Sequence, residues 1–306
     1  MSGSGQVDLR PVHTVASGAW TAFGVAAMMA TTMAAFAANS VICRLALGGG
    51  LIDAPRFTAV RLLSGAAMLA LFTLEQRQGA ERGRFDPWAA GALFVYAAAF
   101  SFAYIELAAG VGALLLFGAV QVTMIGAGLA RGERLSPLAS VGLLLALGGL
   151  AAYLVPSGGV GPSWAALSML MAGAAWGVYS LRGARQADPV IATVWNFVAT
   201  VPAAFVLLAL PRGNATFSAD GFALAVLSGA VTSGLGYVLW YRVLAHIPSI
   251  TAAVVQLCVP LLAAAFGVVL LGEHFTPRLA LAGVAVLGGI GLVILSRRMA
   301  ATTARR

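Results

Sequence analysis

Ten apolar runs of roughly 20 residues fill this chain, with Gly, Pro and charged residues at the joints. An α-helix rises about 1.5 Å per residue, so a run of that length matches a hydrocarbon core about 30 Å thick. The runs cover roughly 19–45, 54–74, 87–107, 111–130, 136–155, 163–182, 189–210, 220–244, 249–271 and 276–296. Of 306 residues, 60% are hydrophobic and only 9% charged, where a soluble domain carries about 25% charged. Too few polar side chains remain to coat a water-facing surface, so the chain is built for lipid. The other way to cross a bilayer is a closed β-barrel, which alternates in segments of about ten residues; these Ala/Leu/Val/Gly stretches do not alternate. The expected fold class is an all-α integral membrane protein of ten transmembrane helices. Asp86-Pro87, Ser136-Pro137, Asp188-Pro189 and Thr276-Pro277 mark helix starts, a capping side chain followed by a proline suited to the first turn.

The second constraint is an echo. Residues 132–137 read GERLSP and residues 272–277 read GEHFTP, 140 positions later. The apolar runs that follow overlay without a gap, including Gly148-Gly149 on Gly288-Gly289, and further upstream Ser40 falls on Ser180. Apolar helices share a small alphabet, but the matching Glu and helix-starting Pro argue for duplication. The expected units are a first five-helix repeat over 19–155 and a second over 163–296. A polar segment, 1–18, precedes them, and a basic tail, 297–306, follows. Five spans is an odd number, so the second repeat must begin on the opposite side of the membrane from the first. Inverted repeats around a midplane site are a recurrent transporter plan.

The net charge of +8 comes with no lysine at all; every basic side chain counted is arginine. With the N-terminus in the cytoplasm, 13 arginines fall on the inner side and four (Arg44, Arg56, Arg212 and Arg278) on the outer, with Arg61 inside span 2. That is the positive-inside bias, and it places both termini in the cytoplasm. No loop is long enough to form a nucleic-acid surface. The N-terminal segment lacks the apolar stretch of a signal peptide. Cys43 and Cys258 lie in apolar spans with no metal or redox spacing, and no cofactor is expected.

The doubled G-E-x-[LF]-[ST]-P motif, Pro55 followed by Arg61 in span 2, and A-A-W-G at 174–177 together resemble the drug/metabolite transporter superfamily, EamA type. Within it the chain is most similar to the aromatic amino-acid exporters of Gram-negative bacteria. The resemblance implies alternating-access export of amino acids from cytoplasm to periplasm across the bacterial inner membrane, by a monomer or homodimer that is not an enzyme. Another small metabolite, a sugar phosphate or a range of drugs are the alternative cargoes. A phosphate-bearing cargo would call for several cavity cations, and only Arg61 lies deep. Ser233-Gly234 weakly resembles a membrane serine protease, but no histidine matches its depth.

Candidate site residues follow from depth and face. Trp176 and Tyr179 are three apart in span 6, Tyr96 and Phe100 four apart in span 3, and Tyr237 clusters with Trp240 and Tyr241 in span 8. Residues so spaced share a helix face and suit an apolar pocket that stacks rings; interfacial belts are the competing use of such residues. Asn39 and Gln256 sit at mid-span, where a ligand or a neighbouring helix could satisfy them. The substrate-binding candidates are therefore Trp176, Tyr179, Tyr96, Phe100, Asn39, Gln256 and Tyr237. Pro260, one turn after Gln256, and Glu106, near the outer end of span 3, are the gating candidates. Glu106 could pair with Arg44 or Arg61. Arg61 itself reads first as structural, snorkelling outward or tied to carbonyls, and second as a carboxylate receptor. Glu133 and Glu273 are expected to order the turns before Pro137 and Pro277. No carboxylate lies near a span's midpoint, which favours a uniporter over an obligate proton antiporter.

Overall fold

The computed structural model describes residues 22–74, 85–132, 135–154, 163–186, 188–210, 217–244, 246–247, 252 and 255–303. The N-terminal segment 1–18 and Glu133 lie outside the described residues. Among those described there are ten helices and no strand, only an isolated bridge between Ile52 and Phe217. The helices are α1 (Ala22–Gly48), α2 (Ala54–Leu74), α3 (Pro87–Ala103), α4 (Ala109–Ala130), α5 (Pro137–Leu154), α6 (Trp164–Gly183), α7 (Pro189–Ala209), α8 (Ala219–Leu244), α9 (Cys258–Leu271) and α10 (Pro277–Thr303). Six of them, α1, α4, α6, α7, α8 and α10, contain windows long and apolar enough to cross a membrane. The chain is a multi-pass membrane protein.

Capping side chains set the helix starts. Asp86 accepts from the Trp88 and Ala89 amides and Asp188 from those of Val190 and Ile191, each ahead of a proline at the first helical position. Ser163 and Ser218 do the same for α6 and α8. In the doubled motif, Ser136 Oγ accepts from the Ala139 amide and Thr276 Oγ1 from the Leu279 amide, each at 3.2 Å. The motif's glycines stand at positive φ, +86° at Gly132 and +67° at Gly272. This left-handed conformation ends a helix and is nearly free of strain only for glycine.

Two spans depart from a plain α-helix. Within α8, Leu227–Leu235 (LSGAVTSGL) winds as a π-helix, and α1 closes with another at Arg44–Gly48. The ninth span does not run unbroken from 249 to 271. Leu257 is a turn, and Pro260 lies in the first turn of α9 rather than in mid-helix. There its missing N–H costs little. α10 continues to Thr303, so the basic tail starts out helical.

α3 packs on α6 and α8 on α1; α4 lies on α6 and α9 on α1; α2 lies on α8 and α7 on α3. α2 meets α7, α4 meets α9 and α5 meets α10. The α5–α10 contact is close because Gly142 and Gly289 face one another: a Cβ on either would collide with the other's carbonyl oxygen. Gly149 packs against Ala285 in the same seam, whereas Gly148, Gly283, Gly288 and Gly291 face open space.

Candidate functional site

A small cavity of about 20 Å³ sits at the centre of the bundle, where α1, α3, α4, α6 and α8 converge. α1 contributes Phe36, Asn39 and Ser40; α3 contributes Tyr96 and Phe100. Trp176 comes from α6, Thr232 and Tyr237 from α8, and Leu116 and Phe117 from α4. That volume holds about one water-sized guest, so anything of amino-acid size requires the walls to part.

The walls are a connected set of rings. Trp176 lies 4.8 Å from Tyr96, 4.9 Å from Tyr237 and 5.3 Å from Tyr179, between ring centroids. Tyr96 meets Phe100 at 5.4 Å, and Phe36 meets Tyr237 edge-on at 6.1 Å. Such tilted and edge-on pairs contribute about 0.5–1.5 kcal/mol each beyond area burial. Five of the seven substrate-binding candidates thus line one cavity: Trp176, Tyr96, Phe100, Asn39 and Tyr237. Tyr179 stands behind Trp176, with its hydroxyl 3.0 Å from Thr193 Oγ1. Gln256 is half-buried just before the break at Leu257 and does not line the cavity.

Polar groups cluster at one edge. Asn39 Oδ1 accepts from Ser228 Oγ at 2.7 Å and from Thr232 Oγ1 at 2.8 Å, with the Cys43 thiol 3.9 Å away. Ser228 and Thr232 lie on the π stretch of α8, whose wider winding faces α1 and α2. π segments recur at functional sites. Asn196 Oδ1, the Tyr237 hydroxyl and Arg61 Nη1 are buried without a hydrogen-bond partner.

Arg61 neither snorkels nor bonds a carbonyl. It is 1% exposed, donates from Nη2 to the Tyr96 hydroxyl at 3.0 Å and from Nε to Ser233 Oγ at 3.3 Å. Its guanidinium carbon stands 5.1 Å from the Tyr96 ring centroid and 5.0 Å from that of Phe100. Nothing in the sequence pointed to Ser233 as its partner; the only available signal was the run of small polar residues around it.

At one end of the bundle, Glu273 does more than order its own turn. Both carboxylate oxygens accept from the Ala109 amide at the start of α4, at 3.0 and 2.9 Å, and Arg44 Nε lies 3.5 Å from Oε1. Arg44 Nη1 donates to the Ile105 carbonyl at 2.8 Å. Ala108, which precedes α4, offers no capping side chain, so Glu273 supplies from α9's end the charge that a helix start favours. Glu106 is exposed, and Arg44 pairs with Glu273. At a helix end near Arg182, Asp86 joins α3 to α6 through an ion pair of 2.7 Å.

An aromatic cavity between five helices is a place that can hold a small molecule. Among the described residues no group of His, Cys, Asp and Glu could hold a metal ion. Residues 160–295 match the EamA-like transporter family, and the chain carries a domain of that family, whose members are small-molecule transporters. Over 265 residues it is 51% identical to Uncharacterized protein PA1977 of Pseudomonas aeruginosa, covering 87% of this chain and 92% of that protein, so the two belong to one family. A solved structure described only as "Crystal structure of protein" shares the fold, with a TM-score of 0.61 at 19% identity over 90% of this chain and 97% of that one.

Proposed function

We propose that this protein is a secondary transporter that exports amino acids, aromatic and other apolar ones, from the cytoplasm by alternating access around the aromatic cavity. The observation that carries the reading is the cavity between Trp176, Tyr96, Phe100 and Tyr237, narrow in this conformation and walled by five different helices. Aromatic faces bind a planar apolar side chain, and a few polar groups at one edge orient its head. Among the described residues the acidic side chains, Asp53, Asp86, Glu106, Asp188, Asp220 and Glu273, all lie at helix ends or in turns. That favours uniport over obligate proton antiport.

Support for two inverted five-helix repeats comes from the packing. Exchange of α1–α5 with α6–α10 turns α3 on α6 into α8 on α1, α4 on α6 into α9 on α1 and α2 on α8 into α7 on α3, and returns α2–α7, α4–α9 and α5–α10 to themselves. Five crossings per repeat set the pseudo-twofold axis in the membrane plane. Swapping the conformations of the two halves then moves the opening from one side to the other. In this reading Arg44 and Glu273 close the periplasmic end of the cavity. The break at Leu257 lets Pro260 and α9 move, and Glu106 stands at the rim of the same end. The bilayer is a bacterial inner membrane with both termini cytoplasmic, and the transporter acts as a monomer or homodimer.

The test is counterflow of labelled amino acids into proteoliposomes. Purified protein should accumulate labelled phenylalanine or tryptophan against an internal unlabelled pool. Trp176→Ala should weaken apparent affinity by about tenfold or more, the equivalent of 1.4 kcal/mol. Counterflow by Trp176→Ala equal to that of the parent would remove the cavity from the transport path.

A further inference from the structure

The polar edge of the cavity offers donors beside the Ser40 and Thr232 hydroxyl oxygens. Asn39 uses its carbonyl oxygen on Ser228 and Thr232, so what it can still offer is its NH₂. The Tyr96 oxygen accepts from Arg61, so its remaining proton is available to donate. The Tyr237 hydroxyl is buried beside that of Tyr96 and makes no hydrogen bond of good geometry. Behind Tyr96 and Phe100, one ring's thickness from the cavity, stands the Arg61 guanidinium with Nη1 unpartnered. Arginine does not give up its proton in a protein, so this is a permanent positive charge.

Nothing in the described structure neutralises that charge. Among the described residues the three ion pairs involve Arg44, Arg56 and Arg182, and the carboxylates lie at helix ends or in turns. Two aromatic faces and two hydroxyls offset only part of the cost of burying an unpaired cation. A charge in that position survives where something anionic comes to meet it. In a site of low dielectric its field crosses a single ring with little loss.

We infer that the cavity selects for a carboxylate: Arg61, acting through the Tyr96 hydroxyl and its own field, makes the site receptive to an apolar or aromatic compound bearing one carboxylate, while no carboxylate among the residues lining the cavity pairs with an ammonium group. The inference rests on the transport reading above. It deepens that reading by widening the substrate class from amino acids to aromatic and apolar monocarboxylates, and by excluding the corresponding amines.

The experiment competes three ligands that share one ring. L-phenylalanine carries both charged groups, 3-phenylpropionate only the carboxylate, and phenethylamine only the amine. In counterflow of labelled phenylalanine by the parent protein, 3-phenylpropionate should compete and phenethylamine should not. Trp176 fluorescence, read as the difference between the parent and Trp176→Phe, should respond in the same order in detergent, where no transport is required. Arg61→Gln should abolish the preference, with at least a tenfold loss in apparent affinity for 3-phenylpropionate; Arg61→Lys, which keeps the charge, should retain part of it. A purely structural arginine would lower the yield of folded protein without changing the ratio between the two competitors. Competition by phenethylamine equal to or stronger than that of 3-phenylpropionate overturns the inference, whether or not the variants fold. Absent counterflow with intact carboxylate-selective binding would instead count against the transport reading and leave the site's chemistry standing.

Discussion

At the residue scale, the polar edge of the cavity depends on one shared acceptor. Asn39 Oδ1 is shared by the Ser228 and Thr232 hydroxyls. Replacing it with leucine strands at least one of them in an apolar surrounding, at a cost of about 1–3 kcal/mol. Thr232 softens the loss because it also bonds the Ser228 carbonyl at 2.9 Å. The Tm of Asn39→Leu in detergent should fall by several degrees, and an unchanged Tm would mean the hydroxyls found other acceptors. Asp86 offers a pH handle outside the spans. Partial burial works to raise its pKa, but the hydrogen bonds from Arg182, Ala89 and Trp88 and the Arg182 charge outweigh it and hold the carboxyl below its ordinary value. A depressed pKa stabilises the fold above the ordinary carboxylate range, and that contribution disappears as pH falls through the lowered value. The Tm difference between the parent and Asp86→Asn should therefore be present at neutral pH and close on acidification below about pH 4. A gap that persists there would exclude the ion pair as its source. The aromatic wall was legible in the sequence because spacings of three and four put rings on one face. The environment of Arg61 was not, since its partners Tyr96 and Ser233 lie 35 and 172 positions away.

At the element scale, the π stretch of α8 is the feature that local sequence reading lacked. Its glycines let α2 approach: a Cβ on Gly229 would overlap the Arg61 carbonyl and Ser64 Oγ. Gly229→Ala should push α2 away, misplace the Arg61 side chain and reduce counterflow several-fold while leaving the protein helical by circular dichroism. Wild-type counterflow would show that α2 yields without disturbing the cavity. The doubled hexapeptide is clearer at this scale. In the second copy, Gly272 ends α9, Thr276 and Pro277 begin α10, and Glu273 reaches back to cap α4. Composition and motif spacing marked that turn. The destination of its carboxylate, on a helix 164 positions earlier, depends on how α4 and α9 pack.

At the scale of the whole molecule, the exchangeable contacts make a geometric prediction. Cysteines placed singly at 133 and 273, in a background with Cys43 and Cys258 replaced, should react with membrane-impermeant reagents from opposite faces of the membrane. Labelling of both from one face would end the inverted-repeat reading. The sequence by itself determined that the chain enters lipid as helices, about how many, and near which residues each begins. Those properties follow from the length of apolar runs, from the shortage of charge and from capping residues beside prolines, all local in the chain. Only the tertiary structure decided which of the deep polar residues meet. It set Gln256 away from the cavity, and gathered Asn39, Tyr96 and Tyr237 around a narrow space with an arginine behind it that has no carboxylate partner among the described residues. Packing chooses those neighbours through close approach of small residues, and in a bundle of similar apolar helices the partners of any one face are written on other helices, far along the chain.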